Sequence, residues 1–449
     1  MSGVLDPGLA IEAHRVLTLQ NALADSQWMS PDEIEARQFR ELTSLLAHAY
    51  QTVPAQRARL ETAGYRPGMA VDQDLWRAIP IIGRAPLQDE PEAWRSNAVP
   101  KDHGEILSVA SSGSTGSPLR ILGTALDAAY SKAFTLRKLL WHDIDFTKTL
   151  AAIREARQTA LGKRYQRWGD LLEYPFATGP AYGIDIHVGV ERQAQWLSHI
   201  RPEYLLAFPS NIAELAREFD REAVGLDRLD AVLCIAEIVT PELRALVAER
   251  WGARCIDLYS ARECGPISLE CPDAPDHRHH VMAERVKVEV LDAEGEPVAE
   301  GETGRLIISV LHNYAQPMIR YEIGDYAVQG GLCACGRGLP VLTQIKGRVR
   351  NMLTAANGKR FWPSFMTSAL FGKLPLRQHQ FVQTAPGKLR CKLVTTRPLT
   401  AEEEAYFTTH VGDALPGPWQ ITIDHVDQIP RGPGGKYDDS YAEDPMQTK

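Results

Sequence analysis

Long apolar runs are missing from this chain of 449 residues. None approaches the ~20 consecutive apolar residues that a membrane-spanning helix needs, so no membrane partner is expected. The first residues, Met1–Pro7, lack the basic and apolar regions of a secretory signal peptide. An excess of positive charge is also absent: the net charge is −8, which argues against nucleic acid as a partner. We therefore expect a cytoplasmic protein.

Cysteine is scarce, and its seven residues are an odd number for a disulfide framework. Their distribution is uneven, because Cys271 precedes a histidine-rich loop and Cys333 and Cys335 form a close pair. Thiolates and imidazoles are ligands that Zn²⁺ prefers. The candidate imidazoles are those of His277, His279 and His280. The alternative interpretation is a set of buried free thiols beside a polar loop.

Strand-like and helix-like segments alternate in the middle of the chain. Tyr204–Phe208 and Ala231–Ala236 are apolar runs typical of buried strands, and helical patterns follow at Ile212–Phe219 and Pro241–Trp251. Such an alternation predicts an α/β fold in which helices cover a largely parallel sheet. A helix is also predicted to begin at Pro31.

The segments that follow this α/β region have a pattern typical of antiparallel strands. Val286–Leu291 and Arg305–Val310 flank a turn-rich stretch and predict strands of an antiparallel or barrel-like element. A boundary is predicted at Gly347–Arg348, giving a large domain over 1–347 and a small α+β domain over 348–449.

One glycine- and hydroxyl-rich loop follows the predicted strand Ile106–Ala110. Its members are Ser111, Ser112, Gly113, Ser114, Thr115 and Gly116. Glycine permits close backbone approach, so such a loop can direct several N–H groups at one anion. No lysine follows its second glycine, which excludes the usual P-loop of NTPases. A plain Ser/Gly-rich turn is the alternative interpretation.

Four further motifs follow this loop: Tyr259–Glu263, Arg320–Asp325, Gly347–Asn351 and Pro430–Lys436. In this order the five motifs resemble those of the adenylate-forming enzymes, the superfamily of acyl- and aryl-CoA ligases. The likeness is greatest to the phenylacetate–CoA ligase-like branch and its capsule-biosynthesis-type relatives. It extends from about residue 35 to the C-terminus.

The resemblance implies a large N-terminal adenylate-forming domain with mixed and parallel sheets, and a small mobile α+β C-terminal domain. It implies ATP-dependent activation of a carboxylic acid, by analogy an aromatic one, to an acyl-adenylate with release of pyrophosphate. The acyl group would then pass to CoA. A carrier protein, an amine or an alcohol is an alternative acceptor, and a catalytically lapsed nucleotide-binding relative is an alternative function. A homodimer is a further possibility.

The resemblance also implies residue roles. The loop Ser111–Gly116 would bind the phosphates of ATP, and the Glu263 carboxylate would bind Mg²⁺. Tyr259 would lie against adenine, and Asp325 would accept hydrogen bonds from the ribose hydroxyls. Lys436 would bridge the attacking carboxylate and the α-phosphate in the transition state.

Three more positions would contact the nucleotide through the same likeness: Ser260, and the pair Ala236 and Glu237. Arg348 resembles the family's arginine near the hinge, which also contacts the nucleotide, and it is placed with Lys436 and Glu263 among the catalytic residues.

Some members of the branch hold zinc at matching positions, which implies Cys271, His280, Cys333 and Cys335 as ligands of a structural zinc. Two departures stand out elsewhere: Ser117 occupies the position of a family lysine, and Arg350 that of an acidic hinge residue. These departures favour the alternative acceptors and the lapsed-enzyme hypothesis, whereas the retained Glu263, Asp325, Arg348 and Lys436 favour an active ligase and outweigh them.

Overall fold

The structure is a computed structural model that describes residues 11–110, 119–155, 162–168, 178–221, 225–365, 367–432 and 434–443. The loop Ser111–Gly116 therefore lies outside the described residues. The helices are α1 Ile11–Ser26, α2 Pro31–Thr52, α3 Pro54–Thr62, α4 Gln73–Ala78, α5 Arg84–Asp89, α6 Ala125–Trp141, α7 Val190–Ile200, α8 Pro209–Arg221, α9 Pro241–Trp251, α10 Thr367–Lys373 and α11 Ala401–Asp413. Within the described residues, no helix is both long and apolar enough to cross a bilayer.

The strands run from β1 to β21 in chain order. They are β1 Ile106–Ala110, β2 Arg120–Thr124, β3 Leu150–Arg154, β4 Lys163–Tyr165, β5 Ala181–Asp185, β6 Tyr204–Ala207, β7 Ala231–Cys234, β8 Arg254–Ile256, β9 Leu258–Ala261, β10 Gly265–Glu270, β11 His279–Val281, β12 Val286–Leu291, β13 Thr303–Val310, β14 Tyr321–Gln329, β15 Val341–Arg348, β16 Leu353–Thr354, β17 Arg360–Phe361, β18 Leu376–Ala385, β19 Lys388–Thr395, β20 Gln420–His425 and β21 Ser440–Ala442. The chain divides into two compact units.

The first unit comprises Met1–Lys148, Tyr165–Ala181 and Ile256–Ile345. Its main sheet has the strand order β12-β13-β14-β15-β11-β10-β9, and the pairs β12–β13 and β13–β14 are antiparallel. Helix α2 begins at a capping box in which Ser30 and Glu33 exchange hydrogen bonds. Its apolar stripe packs in a buried cluster with α3 and α4 residues.

The second unit comprises Thr149–Arg164, Tyr182–Cys255 and Lys346–Lys449. It contains the six-stranded sheet β4-β5-β3-β6-β7-β8, in which β3, β6 and β7 pair in parallel. Residues of α7, α8 and α9 join those of the sheet in one buried apolar core, because parallel strands need helices on their faces.

The part of the second unit from Lys346 onward is called here the C-terminal subdomain. Its four-stranded sheet has the order β20-β19-β18-β21, and helices α10 and α11 complete a separate buried core. Phe381 on β18 stacks on Phe365, with the ring centroids 3.9 Å apart, and lies 6.4 Å from the Phe407 ring of α11. This subdomain therefore has an apolar core of its own.

The sequence-based expectations for these elements are confirmed. The α/β fold, the helix beginning at Pro31, the parallel strands and the antiparallel pair all occur. The strand predicted over Ala231–Ala236 ends earlier, at Cys234, and the left-handed backbone of Ala236, with φ +67°, departs from the extended geometry of a strand.

A buried ion pair fixes α1 and α6 within the first unit. Arg137 is fully buried, and its Nη2 donates to Glu284 Oε1 over 2.8 Å and also to the Leu23 carbonyl. Ser26 Oγ donates to the same carboxylate oxygen over 2.8 Å. Arg137 lowers the pKa of Glu284 against the opposing effect of burial. Removing either partner would leave an uncompensated charge without water.

We expect Arg137→Met to lower the free energy of unfolding by about 3–5 kcal/mol, because it isolates the buried Glu284 carboxylate. The double variant Arg137→Met/Glu284→Met should recover much of this loss. Urea unfolding followed by fluorescence measures both. The control is Arg37→Met, which breaks the more exposed Arg37–Glu41 pair and should cost about 1 kcal/mol or less. Equal loss in the single and double variants would contradict the charge argument.

Candidate functional site

Two residues predicted to contact a nucleoside meet in the first unit. Tyr259 lies on β9 and Asp325 on β14, and the Tyr259 hydroxyl donates to Asp325 Oδ2 over 2.6 Å. Gly324 has φ +84°, a conformation that favours glycine, and it sets the backbone immediately before the carboxylate. The residues predicted to contact adenine and ribose are therefore joined by one hydrogen bond, although 66 positions separate them in the chain.

Glu263 lies just beyond the end of β9 and is buried, with 9% of its surface exposed. Arg84, the first residue of α5, donates from Nη1 to Glu263 Oε1 over 3.0 Å. A carboxylate at such a site requires a cation or hydrogen-bond donors, and Arg84 supplies both. Ser260 is exposed on β9, three residues before Glu263.

Four potential metal ligands converge elsewhere in the first unit. The ligand atoms of Cys271, His280, Cys333 and Cys335 all lie within 4.8 Å of one another. Cys271 Sγ is 3.9 Å from Cys333 Sγ, and Cys335 Sγ is 3.2 Å from His280 Nε2. His280 reaches this position because it pairs with Leu269 across the antiparallel strands β10 and β11.

The surroundings orient the ligands of this cluster. The Nδ1 of His280 lies 3.3 Å from the Leu339 carbonyl, so a proton on Nδ1 leaves Nε2 to face the sulfurs. Burial lowers the pKa of His280 to about 4, which keeps the imidazole neutral, as metal ligation requires. Burial raises the pKa of Cys271 to about 12, so a nearby cation is needed to hold its thiolate.

Of the three candidate histidines, only His280 joins this cluster. His277 Nδ1 contacts Glu270 Oε1 at 2.7 Å, and His279 Nε2 lies 3.4 Å from Asp257 Oδ2. In the described residues, the donor set of the cluster is therefore three sulfurs and one nitrogen, which suits tetrahedral Zn²⁺. Beside the cluster, the guanidinium of Arg337, two residues beyond Cys335, stacks 4.5 Å from the Trp141 ring centroid and donates to Asp273.

Ala236 and Glu237 form a short loop after β7 in the second unit. The Glu237 carboxylate accepts hydrogen bonds from the backbone N–H of Ser210, over 2.8 Å, and of Tyr437, over 2.7 Å. Burial raises the pKa of this carboxyl group, and the nearby Arg431 opposes that effect. The Glu237 side chain thus connects the N-terminus of α8 to the residue that follows Lys436.

The predicted catalytic lysine lies in a tight turn of the C-terminal subdomain. The Gly432 N–H donates to the Lys436 carbonyl over 2.9 Å, and Lys436 itself is half-buried. Gly435 has φ +80°, and a Cβ there would lie 2.8 Å from Ile186 Cγ2. Glycine is therefore required at this position for both conformation and space.

The hinge candidates lie at the end of β15. Arg348 is the last residue of β15, and a 3₁₀ turn, Val349–Asn351, follows it. Arg350 stands where the family has an acid, and its Nη2 donates to both oxygens of Asp438 over 2.6 and 2.7 Å. The departure at Arg350 is thus accompanied by a carboxylate partner two residues beyond Lys436.

Sequence reasoning did not identify Arg84 or Arg431 as site residues. Arg84 lies 179 residues from Glu263, and no pattern within the sequence connects them. Arg431 was visible in the motif that ends in Lys436, but its contacts with Ser210 and Glu214 depend on tertiary structure.

A family model described as "CapK C-terminal domain" matches residues 353–439. Phenylacetate–coenzyme A ligase of Thermus thermophilus is 28% identical over 363 residues, which cover 76% of this chain and 75% of that protein. The enzyme of the same name from Escherichia coli is 27% identical over 360 residues, or 75% of each chain. The chain is thus a sequence relative of phenylacetate–CoA ligases, as its motifs predicted.

Solved structures give the same fold. A 2-hydroxyisobutyryl-CoA ligase in the postadenylation state, in complex with R3-HIB-AMP, superposes with a TM-score of 0.73 at 18% identity, covering 95% of this chain and 94% of the other. An anthranilate CoA ligase in complex with anthranoyl-AMP gives a TM-score of 0.54 at 17% identity, covering 74% and 66% of the two chains. The predicted adenylate-forming fold is confirmed.

Proposed function

We propose that this chain is an AMP-forming acid–CoA ligase, which activates a carboxylic acid with ATP and transfers the acyl group to CoA. The observation that carries the proposal is the sequence likeness to phenylacetate–CoA ligases over three quarters of the chain, with the motif residues Glu263, Asp325 and Lys436 retained. Aromatic acids are the first substrates to test, because the named relatives act on phenylacetate.

The proposed reaction has two steps. A carboxylate oxygen attacks the α-phosphorus of ATP, the bond to the bridging oxygen breaks, and pyrophosphate leaves. The CoA sulfur then attacks the acyl carbon, the bond to AMP breaks, and the thiol proton passes to water. Both attacks build negative charge, so fixed cations and N–H donors stabilise their transition states.

In the first unit, Asp325 and Tyr259 would hold the nucleoside. An ionised carboxylate only accepts hydrogen bonds, which suits it to the two ribose hydroxyls. The hydrogen bond from the Tyr259 hydroxyl fixes the carboxylate in one orientation. The loop Ser111–Gly116 and Ser260 complete this proposed nucleotide site, and nucleotide contact by Ala236, Glu237 and Arg348 stays a prediction.

Glu263 would hold Mg²⁺, whose charge offsets that of the ATP phosphates. The Glu263 carboxylate is a hard oxygen ligand, and its hydrogen bond to Arg84 engages Oε1. The hydrogen bond from Arg84 therefore orients this buried carboxylate. Because Ser117 replaces the family lysine, we propose that Arg84 adds positive charge near the phosphates.

We further propose that Cys271, His280, Cys333 and Cys335 bind one structural Zn²⁺. Four protein ligands fill a tetrahedral zinc site, leaving no position for a substrate. The cluster therefore braces the edge where β10, β11 and the turn after β14 meet, and it takes no part in the chemistry. We place the reaction in the cytoplasm, where ATP and CoA are available.

The proposed activity is tested by acid-dependent pyrophosphate release with ATP and Mg²⁺ over a panel of aryl and aliphatic acids, first without and then with CoA. We expect release with an aryl acid and faster turnover with CoA. If CoA does not stimulate the release, the acyl acceptor would instead be a carrier-protein thiol, an amine or an alcohol. ATP binding without release for any acid would favour a lapsed relative.

We expect Lys436→Ala to lower the rate of pyrophosphate release about a hundredfold or more, because a cation at the developing charge is lost. ATP binding, measured by calorimetry, should change little. Lys388→Ala is the matched control, since Lys388 is exposed on β19 of the same subdomain, and it should keep the wild-type rate. Unchanged turnover in Lys436→Ala would remove this lysine from the mechanism.

Metal analysis of the purified protein should find about one zinc per chain. Cys335→Ser should lose most of it and melt several degrees lower, because a closed metal site contributes directly to folding free energy. Cys255→Ser, which changes a buried cysteine outside the cluster, should retain the metal. Equal zinc in the two variants, or none in the wild type after reconstitution, would contradict the proposal.

A further inference from the structure

Helix α8 presents a polar stripe to the C-terminal subdomain within the second unit. Ser210, Glu214 and Arg217 recur at spacings of four and three residues, so they share one face of the helix. The Arg217 guanidinium carbon lies 3.4 Å from the centroid of the Phe371 ring on α10. Gln378 of β18 donates to Glu214 Oε1 over 3.1 Å. All three stripe residues contact the same subdomain.

Arg431 occupies the centre of this contact. Its Nη1 donates to Ser210 Oγ over 2.7 Å, and its Nη2 donates to Glu214 Oε2 over 2.7 Å. Glu237 Oε1 lies 3.9 Å from the same guanidinium. Arg431 is thus held between two acids, and the three side chains are 8%, 14% and 11% exposed. Charges removed from water to this degree attract strongly and are costly to separate.

These contacts lie on both sides of the predicted catalytic lysine. Arg431 precedes Lys436 by five residues, and Tyr437 follows it immediately. The Tyr437 N–H donates to Glu237 Oε1, and the Tyr437 hydroxyl donates to the His379 carbonyl of β18. Anchors on both sides restrict the backbone that carries Lys436.

We propose that Glu237, Glu214 and Arg431 form a latch that fixes the Lys436 turn for the adenylation step and opens before thioester formation. The inference rests on the proposed function and deepens it, since it assigns Glu237 as a positioning residue that acts through Lys436. Its carboxylate accepts hydrogen bonds from the Ser210 N–H of α8 and from the Tyr437 N–H of the C-terminal subdomain.

Loss of the latch should slow one of the two half-reactions and not the other. Adenylation needs Lys436 at the α-phosphate, so a loosened turn lowers kcat for pyrophosphate release. Thioester formation from a preformed acyl-adenylate does not use the latched arrangement, so its rate is maintained. A direct nucleotide contact by Glu237 predicts a different pattern, in which the KM for ATP rises.

The test uses Glu237→Gln in the full-length protein. This change keeps the shape of the side chain but places an amide NH₂ against one of the two backbone N–H donors. The matched control is Arg377→Gln, which breaks the more exposed Arg377–Glu191 pair between the same two parts of the second unit.

Two rates are measured for each variant: acid-dependent pyrophosphate release, and thioester formation from synthetic acyl-adenylate and CoA. We expect Glu237→Gln to lower kcat of the first about tenfold to a hundredfold, with the KM for ATP and the second rate within twofold of wild type. Arg377→Gln should resemble wild type in both. Equal slowing of both rates, an unchanged first rate, or a raised KM for ATP alone would each overturn the latch.

Hydrogen exchange gives a readout that does not depend on activity. Amides in the segment 431–437 should exchange faster in Glu237→Gln than in wild type, because the side chain keeps one acceptor oxygen for two N–H donors and loses the charge that faces Arg431, while Arg377→Gln leaves them unchanged. Unchanged exchange in Glu237→Gln would refute the latch even in an active enzyme. Absence of pyrophosphate release from wild type with every acid would instead refute the proposed function.

Discussion

A carboxylate that leaves water needs a cation or hydrogen-bond donors, and this requirement organises both units. Glu284 meets Arg137 inside the first unit, Glu263 meets Arg84, and in the second unit Glu237 and Glu214 meet Arg431. Each pair joins segments that lie far apart in the chain. The position of each acid thus depends on the whole fold rather than on the motif that contains it.

The sequence predicted elements and residue sets better than it predicted partners. Strands such as Val286–Leu291 were predictable because apolar periodicity is a local property, and the cysteine pair after β14 was visible as spacing. The early end of β7 was not, because a left-handed Ala236 leaves no signature in residue type. Arg84 was also missed, since its link to Glu263 exists only once α5 and β9 are folded.

The departure from the family pattern at Arg350 has a structural context of the same kind. In the sequence, an arginine at position 350 indicates the loss of an acidic hinge residue, but in the fold its Nη2 donates to both oxygens of Asp438. Asn351 likewise donates to the Ser440 carbonyl over 2.7 Å. Arg350 and Asn351 therefore both contact the segment that follows Lys436.

The segment after Lys436 is also joined to the sheet of its own subdomain. The Gln380 side chain donates to the Asp438 carbonyl, the Phe381 N–H donates to the Asp439 carbonyl, and β21 continues as a parallel neighbour of β18. The backbone beside Lys436 is therefore bonded to the sheet of the C-terminal subdomain as well as to Glu237. If this subdomain reorients between the two proposed half-reactions, a small molecule that holds it in one orientation would inhibit only one of them.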